Sequence, residues 1–475
     1  MTDPTRPTRV RYSVLALLCV LAMITYLDRA MNGNAKKDMM DSLGRPVEDF
    51  FWVLTAFQIA YAICEVPTGW MGDTYGPRKT LLRIVLWWSL FVALTGCTGL
   101  AWPGSEMVVI GFGVLIFIQF LFGMGEAGAF PNITRALYNW FPASQRGAAQ
   151  GAIWLSARLM GGLTPVVWVL LVTIAALSWR HAVWLFAAAA LVWCVVFYFW
   201  FRNRPDEHPA VNSAERDLIE AGRVPHPAHH GVPWGRIFTN RNVLALCGMY
   251  MVTNFNWYFL MYNLPLMLKE RYKEWNASDS GKVMLALLGG APMLVGMAGC
   301  LIGGVLTDRY IRRTGDRKWG RRIFAMIGYG MAGLFYLSAT GFLGPEAAFA
   351  DSLWLFAICI MMVGFFNDWI MGPSWAACQD VGQRYSAIVS GTMNMVGNLG
   401  AVLGIQVTGR ILRAYTPEGA SAPDTTGYAV LFTVYAAVYA LGVISWLSID
   451  ASKPIRLEQQ ANPPGLLAGD ESEPT

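Results

Sequence analysis

Of the 475 residues, 55% are hydrophobic and only 14% charged, with 20 Trp and 25 Phe. That balance excludes a soluble chain, which needs a charged surface around its core. The formal charge of +5 reflects basic residues distributed among membrane-flanking loops and gives no reason to invoke a nucleic-acid partner.

A hydrocarbon layer of about 30 Å takes roughly 20 apolar residues to cross. Twelve runs qualify, at about 12–33, 50–71, 80–100, 106–132, 147–174, 181–201, 241–268, 281–306, 322–342, 352–376, 386–409 and 427–449. The fold class expected is an all-α membrane protein with twelve transmembrane helices in two six-helix bundles. The first run passes into YLDR (Tyr26–Arg29) with no small-residue cleavage site, so it reads as a retained helix and not a signal peptide.

Residues 202–240 are Pro-rich, His-containing and charged, the composition of a linker. The expected organisation is an N-terminal bundle (1–201), a cytoplasmic linker (202–240), a C-terminal bundle (241–450) and a disordered cytoplasmic tail (451–475). The halves echo each other. Gly69-Trp-Met-Gly-Asp73 with Arg78 recurs as Gly304-Val-Leu-Thr-Asp308 with Arg313, an internal repeat of the kind found in transporters that rock two bundles about a midplane site.

Lys and Arg concentrate on one side, with seven between Arg309 and Arg322 and six between Arg202 and Arg241. By the positive-inside rule both termini are cytoplasmic, in a multi-pass protein of the inner (plasma) membrane. The eight cysteines, within the apolar runs or, for Cys378, just past the end of one, read as small packing residues. No histidine sits at membrane depth, no metal-ligand spacing occurs, and neither a cofactor nor an enzymatic constellation is expected.

The stretch GWMGDTYGPRK, Gly69 to Lys79, resembles the loop 2–3 signature of the major facilitator superfamily. YLDR, GEAGAFP (Gly125–Pro131), WFPASQRGAAQG (Trp140–Gly151) and GTMNMVGNLG (Gly391–Gly400) resemble its anion:cation symporter family. The resemblance implies a monomeric, lipid-embedded secondary transporter. Its expected partners are protons and a small organic anion such as galactonate, glucarate or a hexuronate. The alternative is an organic-anion antiporter in which buried carboxylates are fixed partners of the arginines.

Ionisable groups at membrane depth cost about 2.5–3.5 kcal/mol or more each, so they face a cavity and do work by default. Six qualify: Asp28, Arg29, Glu65, Glu126, Arg158 and Asp368. The resemblance implies an anion clamp at Arg29 and a proton site at Asp28. Glu126, alone among apolar neighbours, is the expected second proton carrier. The family usually has an arginine seven residues before this glutamate, and here that position is Gln119. Arg158 is read as the relocated cation, against the plainer possibility of a permanent pair with Glu126 or Glu65.

Asp368 has two readings: it selects a hydroxyl-rich or cationic substrate group, or it bonds backbone freed by Gly372-Pro373. Asn394 and Asn398 share one helix face, and Tyr258, Tyr262 and Asn263 are candidates for the opposite wall. Gly69, Gly72, Asp73, Gly76, Arg78, Lys79, Glu65, Asp308 and Arg313 form the expected inner gate, where Asp73 either pairs with Arg78 or caps a neighbouring helix.

Overall fold

The computed structural model describes residues 6–46, 49–101, 109–221, 232–342, 353–417 and 424–455, without the side chains of residues 173, 262, 276, 279 and 282. The first half holds α1 (Val10–Ser42), α2 (Phe50–Tyr75), α3 (Pro77–Thr95), α4 (Phe112–Glu126), α5 (Ala129–Trp140), α6 (Arg146–Trp168) and α7 (Trp179–Trp200). Two short helices follow, α8 (Ser213–Glu220) and α9 (Trp234–Thr239). The second half holds α10 (Arg241–Tyr258), α11 (Leu264–Arg271), α12 (Lys273–Asn276), α13 (Asp279–Thr314), α14 (Arg317–Thr340), α15 (Leu353–Trp369), α16 (Met371–Gly382), α17 (Ser386–Ala414) and α18 (Thr425–Ser448). The described residues contain no strand beyond one isolated bridge, Thr98 to Ile110.

All-helical architecture is what a lipid environment requires of the sequence, because each helix satisfies its backbone groups internally. By length and composition, ten runs among the described residues can cross a membrane, and one of them, Leu353–Ala414, spans 62 residues and contains α15, α16 and α17. Helix α3 falls short because Arg78, Lys79 and Arg83 lie in its first two turns. The helices also outrun the apolar stretches. Helix α13 continues to Thr314 and α14 starts at Arg317, so the basic segment expected as a loop from Arg309 to Arg322 is mostly helical, its turn made at Gly315 with φ +73°.

Within the first half α1 packs on α6 and α7, α2 on α4 and α5, and α3 on α4 and α7. Within the second, α10 packs on α17 and α18, α13 on α15, and α14 on α15 and α18. The halves meet where α2 and α5 pack on α17, and where α6 packs on α13 and α16.

The linker is more structured than its composition suggests. Helix α8 lies against the start of α1, and buried Glu215 accepts hydrogen bonds from the Thr8 hydroxyl (2.7 Å), the Val10 and Arg11 amides (2.9 and 3.2 Å) and the Arg11 guanidinium (2.9 Å). A carboxylate there satisfies otherwise orphaned amides and complements the positive end of α1. Residues 222–231 of the linker and 456–475 of the tail lie outside the described residues, and so does the disorder expected of that tail.

Burial opposes ionisation of Glu215, but these donors outweigh it and hold the carboxyl below its usual range. A depressed native pKa stabilises the fold above the unfolded value and ceases to do so as pH falls through the native one. Glu215→Gln should therefore lower the apparent melting temperature at pH 7, by the equivalent of about 1–3 kcal/mol. The gap between variant and parent should close toward pH 4 in a thermal-unfolding series.

Candidate substrate and coupling site

Helix α4 ends at Glu126, and the chain re-enters helix at Ala129. The glycines around this break permit close packing: a Cβ on Gly123 would stand 2.3 Å from the Phe57 carbonyl oxygen of α2. Buried Glu126 therefore sits at a helix end pressed against α2, facing α1. There its Oε1 accepts a hydrogen bond from Arg29 Nε at 2.5 Å. Aromatic rings surround this guanidinium, with centres at 4.5 Å (Tyr61), 5.7 Å (Tyr26) and 6.0 Å (Phe57 and Phe130). Among the described residues Arg29 Nη2 and Glu126 Oε2 have no hydrogen-bond partner, and neither has either oxygen of buried Asp28.

A second ion pair joins the halves. Arg158 of α6 donates from Nε and Nη2 to the two oxygens of Asp368 on α15, at 3.0 and 3.2 Å, and from Nη1 to the Tyr26 hydroxyl at 3.1 Å. The Trp257 ring centre lies 3.9 Å from its guanidinium carbon. The expected alternative partners of Arg158, Glu126 and Glu65, are engaged elsewhere: Glu126 with Arg29, and Glu65 with the Asn394 amide across the halves. Asp368 accordingly holds an arginine, with both of its oxygens accepting from Arg158. The Phe130 ring, stacked on Trp154 at 4.7 Å, makes one aromatic wall between the two pairs.

Other candidates lie further from these charges. Gln119 exchanges amide hydrogen bonds with Asn32 (3.1 and 3.3 Å) and donates to Thr95 (3.0 Å), a network buried between α1, α3 and α4. Asn398 lies one turn beyond Asn394 on α17 with its Nδ2 buried and unpartnered among the described residues. Tyr258 ends α10, and Tyr262 and Asn263 fall in the π-helical turn Phe259–Asn263 that follows. The Tyr262 side chain is outside the described residues.

At one end of the molecule the expected gate has different partners from those the repeat suggested. Asp73 accepts from the amides of Ala387 and Ile388 (3.2 and 2.8 Å), the first turn of α17, and lies 3.7 Å from Arg135. Asp308 accepts from the amides of Gly147 and Ala148 (3.1 and 2.6 Å), the first turn of α6, and from Arg321 (3.0 Å). Each aspartate thus caps a helix of the opposite half, where an anion suits the positive helix end. Arg78 is not its partner: it donates to the Tyr198 carbonyl at 2.5 Å, and its amide donates to Asn203. Arg313 and Lys79 are exposed. Gly76 makes a turn at φ +86°, and Gly72 leaves room for the Asn132 side chain.

Sequence reasoning missed Arg321, which bridges Asp308 and Asp380, and Arg146, which reaches Asp380 at 2.7 Å. All four charged groups are buried. Lying near the ends of the apolar runs, they read there as loop charges. It missed Tyr26, Tyr61, Phe130 and Trp257 as well, because aromatic residues are everywhere in this sequence and nothing local marks those that face an arginine.

This is the anatomy of a multi-pass membrane transporter, with charged groups paired at membrane depth between two sets of helices that are clipped together at one end. A family model described as Major Facilitator Superfamily matches residues 18–405, and the chain belongs to that superfamily. It is a transporter and not an enzyme. It is 29% identical over 451 residues to the probable sulfoacetate transporter SauU of Cupriavidus necator, covering 93% of this chain and 94% of that one. It is 25% identical to the probable galactarate/D-glucarate transporter GudP of Escherichia coli (93% of each chain) and 24% identical to the D-galactonate transporter of E. coli O6:H1 (93% and 96%). These relatives bear out the resemblance to the anion:cation symporters. Among solved structures, a bacterial homologue of the iron transporter ferroportin in an outward-facing state has the same fold at TM-score 0.65 and 14% identity, covering 91% of this chain and 98% of that one. A single-site variant of the E. coli fucose:proton symporter FucP does so at 0.61 and 13%, covering 92% and 99%.

The clipped end leads to an expectation. A Cβ on Gly69 would lie 2.6 Å from the Ala387 carbonyl oxygen, and backbone there cannot yield without parting α2 from α17. Gly69→Ala and Asp73→Asn should both weaken this closure. A cysteine-accessibility assay at this end should report increased labelling, with anion affinity unchanged within a few-fold. Affinity lost at normal expression would place these residues at the substrate instead.

Proposed function

We propose that this protein is a proton-coupled importer of a small organic anion, a sugar acid or related carboxylate, working by alternating access between two six-helix bundles (1–201 and 241–450) with both termini cytoplasmic. The observation that carries the reading is Arg29. It is a guanidinium at membrane depth, boxed by four aromatic rings, bound at Nε by the buried Glu126 and left with an unpartnered Nη2. An arginine so placed can receive an anion at one edge while its carboxylate partner remains at the other, since its five N–H groups form a rigid fork. The organic acids in the relatives' names support an anionic cargo.

Glu126 and Asp28 are the proton carriers in this scheme. When an anion reaches the far edge of Arg29 it shares the cation with Glu126, and a carboxyl whose cation is partly neutralised by a second anion takes up a proton more readily. Asp28, with neither oxygen hydrogen-bonded, is the second site. One elementary charge crossing the field is worth about 2.3 kcal/mol per 100 mV, so a monoanion carried with two protons would draw on voltage and pH gradient together. Arg158 binds substrate from the other half of the site, with Asn394, Asn398, Tyr258, Tyr262 and Asn263 lining the wall. Glu65 links to the gate formed by Gly69, Gly72, Asp73, Gly76 and Asp308. Arg135 and Arg321 serve there in place of Arg78, Lys79 and Arg313. Gln119 supports α1 from behind.

Glu126→Gln fixes the protonated form, so exchange of labelled for unlabelled anion in proteoliposomes should persist while uptake driven by a pH gradient stops. Accumulation against a gradient by this variant would reject Glu126 as the coupling group and favour an exchanger of two organic anions.

A further inference from the structure

The cation at Arg158 has a different setting from that at Arg29. Asp368 occupies Nε and one N–H of Nη2, and Tyr26 takes one N–H of Nη1, which leaves two of the five guanidinium hydrogens on the edge away from Asp368. The neighbouring helices have been cut back to hold this arrangement. A Cβ on Gly296 of α13 would come within 2.6 Å of Asp368 Oδ2, and one on Gly161, a turn beyond Arg158, within 2.9 Å of the Tyr26 ring. The geometry is thus a fitted socket for an arginine whose outer edge is still able to donate.

The two cations share a wall. Their guanidinium carbons stand 5.7 Å (Arg29) and 5.8 Å (Arg158) from the centre of the Tyr26 ring, so they are separated by no more than the sum of those distances. Removing a hydrogen-bond length of about 2.9 Å at each end limits any ligand that reaches both to a skeleton of a few atoms. A singly charged ligand needs one such cation. Two of them, each holding a carboxylate on one edge and keeping donors on another, match a ligand with an anionic group at both ends.

We propose that the cargo is a short dianion, one end held by Arg29 and the other by Arg158, and that Asp368 is a positioning residue that aims Arg158 and competes with the cargo for it. The proposal rests on the anion-transport reading above. It also explains why the pair bridges the halves: Arg158 belongs to α6 and Asp368 to α15, so an anion that takes over part of Arg158 loosens a tie between them and links occupancy to movement. Asp368 also keeps the empty site close to neutral, since an unpaired guanidinium at this depth is costly.

The test uses the purified full-length protein and three matched pairs: sulfoacetate against methanesulfonate, succinate against succinamate, and galactarate against galactonate. Dissociation constants come from thermal-shift titration, and counterflow in proteoliposomes follows for whatever binds. At least one dianion should bind about ten- to a hundredfold tighter than its partner, the worth of one charge-assisted contact. Arg158→Gln should cost that dianion at least tenfold more affinity than it costs the matched monoanion, so that the ratio between them falls toward one. Arg158→Lys, which keeps the charge in a variant closer to the parent fold, should retain part of the difference.

Asp368→Asn removes the competitor, so the ratio of dianion to monoanion affinity should rise several-fold, whereas a merely structural aspartate would lower both together. A monoanion bound and exchanged as well as its matched dianion overturns the two-ended site and leaves anion transport standing. No binding by any of the six overturns both readings.

Discussion

A guanidinium below the membrane surface must be given an anion, and this molecule is arranged around that need. Arg29 has Glu126 and Arg158 has Asp368. Breaking such a pair leaves a buried charge uncompensated, at a cost of about 3–5 kcal/mol. The helices that carry the partners are therefore held in one relative rotation. The break in helix between Glu126 and Ala129 and the small residues facing α2 and α3 are what bring Glu126 to α1. The Arg158–Asp368 pair ties α6 to α15 in the same way, and with it the first half to the second.

The same physics recurs in weaker form at the clipped end. There the anions are Asp73 and Asp308, and their principal partners are backbone amides at the first turns of α17 and α6. Contacts to a helix end strand no side-chain charge in lipid if they are lost, because the amides can turn to water. Arg321 and Arg146 form a buried cluster with Asp380 between them, and Arg135 lies beside Asp73. The helix caps and the charge cluster thus close this end together, across both interfaces between the halves.

The aromatic residues complete the site by a different route. Tyr26, Tyr61, Phe130 and Trp257 lie against the guanidiniums of Arg29 and Arg158, attracting the cations through the ring quadrupole and covering part of each from water.

Apolar length and the rarity of charge in it determined from sequence alone that this chain is a helical membrane protein, and they singled out Arg29, Glu126, Arg158 and Asp368, which the fold pairs. The repeat of Asp73 and Asp308 likewise marked two aspartates that cap helices of the opposite half. Helix-helix geometry alone decided the partners. Arg158 and Asp368 are 210 residues apart, and Arg29 and Glu126 are 97 apart. Spacing along a helix states which side chains share a face but nothing about which other helix that face meets. For that reason Arg78 looked like the mate of Asp73, being its neighbour in sequence, when rotation of the packed helices had given that place to Arg135 and the first turn of α17. Gln119 was similarly legible as a departure from its family. Only the fold showed that Arg158 is paired with Asp368.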